Sequence, residues 1–226
     1  MNYFIGLIIA ALFIGLNPIH AASIDDEPHL KNITQLTFGG ENAEAYFSYD
    51  GRELIFQSTR GDLGCDAIFR MHSDGTHVRQ ISSGEGVTTC AFIAPDNQSV
   101  IYASTHLGGQ NCPPKPDYSR GYVWPLYEHY DIFKADANGG NLQRLTHTPR
   151  YDAEAVFSPQ GDKILFTSLR SGDLELYLMT PDGGEVSSSP IRWAMMGAVS
   201  FLSMVNGLCG APRVQAVRSW KPTGRY

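Results

Sequence analysis

Through the middle of the chain, apolar and polar positions alternate in runs of five or six residues, and the runs return in a fixed order. ELIFQS, SVIYAS and KILFTS are one set; AIFRM, DIFKA and ELYLM are another. Alternation with a period of two puts successive side chains on opposite faces and predicts half-buried β-strands. Between the runs stand SYDG, APDN and SPQG, and further on SDGT, ANGG and PDGG. Proline presets φ in such turns, while Gly or Asn accepts the positive φ that tight hairpins require.

The order of these pieces defines a repeat. Residues Gln35 to Ser82 match Arg144 to Val186 element by element, and the segment between them is the same unit split by an insertion from about Leu107 to His129. Phe47, Phe92 and Phe157 mark a first strand, the two sets above supply the second and third, and VRQIS and LQRLT close the unit as a fourth. Thr37, Ser82 and Thr146 recur 45 and 64 residues apart, the second interval being enlarged by the insertion. Four short strands in roughly 40 to 45 residues is the spacing of propeller blades. The expected fold class is therefore all-β, a partial β-propeller of about three four-stranded blades at 35–82, 83–146 and 147–186, within a domain spanning 33–186.

The recurrent F-S-x-D-G-x-x-[IL]-x-[FY]-x-S-x-R, followed by D-x-[IL]-[FY]-x-x-[DNP]-x-[DN]-G, resembles the WD-repeat-like propeller of TolB-related periplasmic proteins over about Ile33 to Val186. The resemblance implies six blades in a protein that binds partners, with no catalytic residues of its own. A fold of this kind says little about activity.

Both ends differ from the repeat. Tyr3 to Leu16 is an unbroken apolar run of 14 residues, and NPIHAA after it offers a helix breaker and small residues near Ala21 and Ala22. That is the pattern of a signal peptide over 1–22, although no Lys or Arg precedes it, and a retained anchor is the other reading. Residues 23–32 are polar and expected to be a disordered lead-in to a periplasmic or secreted domain.

Residues 187–226 match no copy. Met and Trp have single codons, so part of the gene follows from the protein: one base out of register, Trp193/Ala194, Met196/Gly197 and Met204/Val205 must each encode Gly, and Met195/Met196 must encode Asp. With allowed codons elsewhere, that frame reads K-Q-L-T-H-P-L-G-Y-D-G-G-x-F-F-S-x-D-G-K-W-x-V-W-R from Val186 onward, a fourth copy of the repeat. The forced Asp and the last forced Gly stand nine codons apart, as Asp152 and Gly161 do. The tail is thus expected to be out of frame, with Cys209 and Trp220 carrying no function and the chain as translated lacking stable closure. A genuine amphipathic or membrane-surface helix is the alternative.

Composition narrows the partners. A net charge of −6 with no cluster of Lys or Arg excludes nucleic acid as a class. A periplasmic protein or cell-envelope ligand is expected instead, with no cofactor. The residues that begin each first strand, Asn42 and Glu44, Thr88 and Thr89, Asp152 and Glu154, fall on one face and would ring a channel mouth, either solvating it or holding a cation, a peptide end or a sugar. In the insertion, Tyr118, Tyr122, Trp124, Tyr127 and Tyr130 sit among prolines; Tyr122, Trp124 and Tyr127 are candidates for partner contact or for capping a blade. His106, His129, Asp131 and His147 recur at no metal-ligand spacing, and Arg60 and Arg170 match His106, so a structural role is expected and no metal. Of Cys65, Cys90 and Cys112, one disulfide and one free thiol are expected in an oxidising compartment, with Cys90–Cys112 the preferred pair. They include no C-x-x-C pair for zinc.

Three functional classes follow: a non-catalytic interaction propeller, the propeller of a prolyl-oligopeptidase-type serine peptidase, and a propeller polysaccharide lyase. The second requires G-x-S-x-G, absent from these 226 residues, and the third requires convergent ligands and a base. The first is the expected class.

Overall fold

The computed structural model describes residues 31–189, apart from Arg120 and Tyr122. The segment expected to be a signal peptide, most of the expected lead-in, the tail beyond residue 189, and Tyr122 lie outside the described residues. The chain divides into two units, Met1–Gln35 and Leu36–Tyr226. Residues 31–35 of the first unit contain no regular element and are exposed.

Among the described residues the second unit contains twelve strands in three antiparallel sheets. β1 (Glu41–Phe47), β2 (Glu53–Thr59), β3 (Ala67–His72) and β4 (Arg79–Gln80) form blade 1. β5 (Thr88–Ile93), β6 (Ser99–Ser104), β7 (Asp131–Asp136) and β8 (Gln143–Arg144) form blade 2, with a 3-10 turn at His106–Gly108 opening the insertion. β9 (Asp152–Phe157), β10 (Ile164–Ser168), β11 (Glu175–Met179) and β12 (Ser187–Ser188) form blade 3. Each sheet is a meander in which neighbours in sequence are neighbours in space. No α-helix occurs among the described residues.

The outer strand of each blade is only two residues long, so β3 and β7 continue beyond its ladder. The repeat marks supply the missing acceptors: the Ile68 N–H donates to Ser82 Oγ and the Ile132 N–H to Thr146 Oγ1, both at 2.9 Å. A buried N–H left without a partner would cost about 1–3 kcal/mol, which gives the recurring hydroxyl a structural reason.

The core lies between blades. Ile55, Ile68 and Ile81 of blade 1 pack with Ile93, Tyr102 and Phe133 of blade 2. Ile101, Ile132 and Leu145 of blade 2 pack with Phe157, Phe166 and Tyr177 of blade 3. Register shows that Phe92 stands at the place of Tyr46 and Val156, so the residue matching Phe47 and Phe157 is Ile93. The hairpin glycines Gly75, Gly139 and Gly183 have φ of 84, 86 and 85°. A Cβ there would meet the carbonyl oxygens of Leu36, Ile81 and Leu145 at 3.1, 2.2 and 2.7 Å. Glycine at this turn thus serves both conformation and close approach.

The fourth strand of blade 3 reaches two residues into the segment expected to be foreign. Its backbone follows the pattern: the Ser189 N–H donates to Leu176 O at 2.8 Å, as Leu145 does to Ile132 O and Ile81 to Ile68 O. Its side chains do not. Ser189 stands where Ile81 and Leu145 are buried.

Candidate functional site: the inner strands and the insertion

The innermost strands β1, β5 and β9 lie side by side, and each is broken at the same point by a β-bulge. The extra residue turns left-handed: φ is 51° at Glu44, 51° at Cys90 and 57° at Glu154. Bulges re-aim a side chain that regular pleating would send elsewhere. Here three blades aim two carboxylates and a thiol into one electrostatic neighbourhood, in which Glu44 and Glu154 both act on Cys90 and on Tyr46.

Polar partners surround them. The Tyr46 hydroxyl donates to Glu44. Thr167 Oγ1 donates to Glu154 Oε2 at 2.9 Å, and Tyr151 OH lies 3.5 Å from Glu154 Oε1. Gln57 Oε1 accepts from Thr89 Oγ1 at 2.7 Å and from the Cys90 N–H at 3.2 Å, linking blades 1 and 2. Burial, with Glu44 nearby, holds the Glu154 carboxyl above its ordinary range, and burial pushes the Cys90 thiol up to about 12. Cys90 therefore stays protonated and is a poor nucleophile. Among the described residues no three His, Cys, Asp or Glu side chains are arranged to hold a metal ion.

The residues two positions earlier behave differently. Asn42, Thr88 and Asp152 share one register position, opposite Ser58, Ser104 and Ser168. Asn42 Oδ1 accepts from Arg60 at 2.6 Å, and Asp152 accepts from Arg170 at 3.2 Å and Thr148 at 2.6 Å. Thr88 donates through both its N–H and its hydroxyl to Asp66 O. Arg60 and Arg170 also bond Ser58 and Ser168 and stack over Phe56/Phe69 and Phe166/Tyr177. His106 takes the same place, 2.8 Å from Ser104 Oγ and 4.5 Å from the Phe133 ring centre. The outer members of the expected ring are fastened by hydrogen bonds, Asn42 and Asp152 within their own blades and Thr88 to the loop of blade 1. The bulge residues converge, and in blade 2 the member is Cys90, one residue beyond Thr89.

The cysteine pairing also departs from expectation. Cys65 is bonded to Cys112, and Cys90 is a free thiol. The pleat and bulge turn Cys90 inward, while the insertion folds back over the Cys65 loop of blade 1 and the entry to blade 2, where the Gly86 N–H donates to Gln110 O at 2.8 Å. At the base of the insertion the His129 ring covers Gly108 so closely that a Cβ there would meet it at 2.4 Å. Trp124 Nε1 lies 3.4 Å from Tyr151 OH, Tyr127 donates to Pro114 O at 3.1 Å, and the rings of Tyr127, Tyr130 and Tyr151 pack in sequence. Trp124 and Tyr127 are half-buried, whereas Tyr118, Val123 and Leu126 are exposed.

No protein-family model matches the chain. Over 55 residues, 24% of its length, it is 44% identical to the Tol-Pal system protein TolB of Bordetella pertussis and to that of Bordetella parapertussis. That stretch spans 13% and 12% of those relatives. Among solved structures, a TolB from Agrobacterium tumefaciens matches 68% of this chain and 50% of its own at 22% identity and a TM-score of 0.51. TolB from Acinetobacter baumannii matches 68% and 33% at 23% identity, with the same TM-score. The chain is TolB-like in its repeat, and its fold is that of a β-propeller segment.

Proposed function

We propose that this chain is an exported, non-catalytic propeller segment that serves as an interaction scaffold for a protein or other ligand of the cell envelope, as a component of a Tol-Pal type system. The observation that carries this reading is the threefold bulge: Glu44, Cys90 and Glu154 are aimed together by strained backbone in three successive blades. Strain of that kind is characteristic of functional positions. The protonated thiol and the two carboxylates suit hydrogen bonding to a donor-rich or basic group and are poorly suited to nucleophilic attack. The insertion, with Trp124 and Tyr127 beside Tyr118, Val123 and Leu126, would add apolar contact area next to the same strands. Asn42, Thr88, Thr89 and Asp152 support this face by positioning it.

A photo-crosslinking residue placed at Tyr127 in cells tests the reading. The expected result is an adduct with a Tol-Pal component in the periplasmic fraction, weakened when Glu44 and Glu154 are both changed to Gln. Recovery of the chain without any envelope adduct would overturn it.

A further inference from the structure

The hairpin between the third and fourth strands has the same backbone in all three blades. The His72 N–H donates to Thr76 O, the Asp136 N–H to Gly140 O and the Thr180 N–H to Gly184 O, at 2.8, 2.8 and 2.9 Å. The residue after each acceptor turns left-handed, with φ of 58° at His77, 51° at Asn141 and 47° at Glu185. In blade 2 this turn brings its two flanking residues together, and Asn141 Nδ2 donates to the Asp136 carboxylate. In blade 3 the same two positions look elsewhere: the Thr180 hydroxyl donates to Asp182, and Glu185 accepts from Lys163 at 3.1 Å.

Blade 1 departs from its siblings at three places in this one turn. His72 and His77 hold the flanking positions, and Thr76 stands where the other blades have Gly140 and Gly184. The two imidazole rings stack, with centres 4.2 Å apart and planes 29° from parallel. Thr76 Oγ1 lies 2.9 Å from His77 Nδ1, 3.4 Å from His72 Nδ1 and 2.7 Å from Asp74 Oδ1. A hydroxyl has one proton and a carboxylate only accepts, so that proton goes to Asp74. The oxygen is then an acceptor toward both rings, and each Nδ1 meets it favourably by carrying the ring hydrogen. That tautomer leaves the Nε2 lone pair of both rings free. Asp74 Oδ1 also accepts from the Thr76 N–H at 2.9 Å, which ties the carboxylate, the hydroxyl and the turn backbone into one support.

We propose that His72 and His77 form a two-histidine site for a divalent transition-metal ion that favours imidazole nitrogen, such as zinc or copper, with Thr76 and Asp74 as positioning residues. Metal-binding histidines are held in this manner: the ring nitrogen away from the ion donates to an acceptor that fixes tautomer and orientation. Zinc–nitrogen bonds of about 2.0–2.1 Å place two nitrogens of one tetrahedral ion about 3.3 Å apart, a spacing that two stacked rings can span. Imidazole suits zinc, copper and nickel, whereas magnesium and calcium prefer oxygen. His77 is exposed and His72 half-buried, so an ion reaches them from solvent. Two protein ligands leave the other coordination positions to water or to a group from outside the chain. The site uses none of the inner-strand residues and does not depend on the envelope-partner reading.

Calorimetric titration of the full chain with Zn2+ alone tests it. The reference variant is His72→Asp with His77→Asn, which installs the pair that blade 2 carries at the same turn, Asp136 and Asn141, so the hairpin keeps a combination this backbone already accepts. The wild type is expected to bind one zinc ion per chain that this variant does not bind. Thr76→Val removes the hydroxyl and keeps both rings, and should weaken that binding about tenfold or more, the usual effect of losing an outer-shell partner. His147→Ala, at an exposed histidine remote in sequence from the turn, should leave it unchanged. Equal zinc binding by the wild type and the double variant, or none by either, would overturn the site; unaltered affinity in Thr76→Val would overturn the role given to the hydroxyl.

Discussion

The Cys65–Cys112 bond closes a span of 47 residues that begins in blade 1, crosses the interface and ends in the insertion of blade 2. Changing both cysteines to Ser removes the bond without leaving an unpaired thiol. For a loop of that size, the chain-entropy relation gives about 2.1 + 1.5R ln 47, or roughly 14 cal/mol/K, which is about 4 kcal/mol at 25 °C. Measured losses for native disulfides run from about 2 to 5 kcal/mol, so a loss of about 3 kcal/mol is the expected outcome. At about 2–4 °C per kcal/mol for a domain of this size, the melting temperature should fall by roughly 6–12 °C. Urea unfolding followed by tryptophan fluorescence checks this, with reduced wild type expected to coincide with the double variant. Intact mass after alkylation in denaturant without reductant should show two labelled thiols, Cys90 and Cys209, and two blocked. Coincident midpoints for oxidised wild type and double variant, or four labelled thiols, would refute the reasoning.

Two further outcomes follow from features described above. Burial holds the Glu154 carboxyl above its ordinary range, so the folded state binds its proton more tightly than the unfolded chain does; the stability this contributes is full below the ordinary value and is lost as pH rises through the folded one. Glu154→Gln keeps an oxygen for Thr167 and removes the charge, so it should raise the melting temperature at neutral pH, with the gain shrinking toward acid pH; a gain independent of pH would contradict the sign. A one-base frame change near Val186, restoring the fourth copy, should raise soluble yield and give one cooperative melting transition; unchanged yield would count against the out-of-frame reading of the tail.

The strands and turns were legible because alternation and Asp-Gly or Asn-Gly turns are local signals. The match of Arg60, His106 and Arg170 followed from them, and the structure places these side chains over the equivalent rings of Phe69, Phe133 and Tyr177. The bulge was not legible, because one extra residue in a strand leaves no mark on a period-two pattern. For that reason the period-two pattern points to Thr89 where Cys90 occupies the equivalent position, and to Phe92 where Ile93 does. The disulfide was hidden for a related reason. Reasoning from strand ends brings Cys90 near Cys112, but the pairing is decided by the path of the insertion over blade 1, and no sequence spacing encodes that path.

The left-handed backbone at Glu44, Cys90 and Glu154 makes these positions unusual targets for mutation. For an L-residue such a conformation costs roughly 1–2 kcal/mol, and glycine would relieve most of that strain. Yet glycine would also erase the group that the bulge aims inward. At these three positions, therefore, a screen for stability and a screen for binding should enrich opposite residues, and a library scored by both would mark the inner strands as the place where the fold gives up stability to keep a side chain.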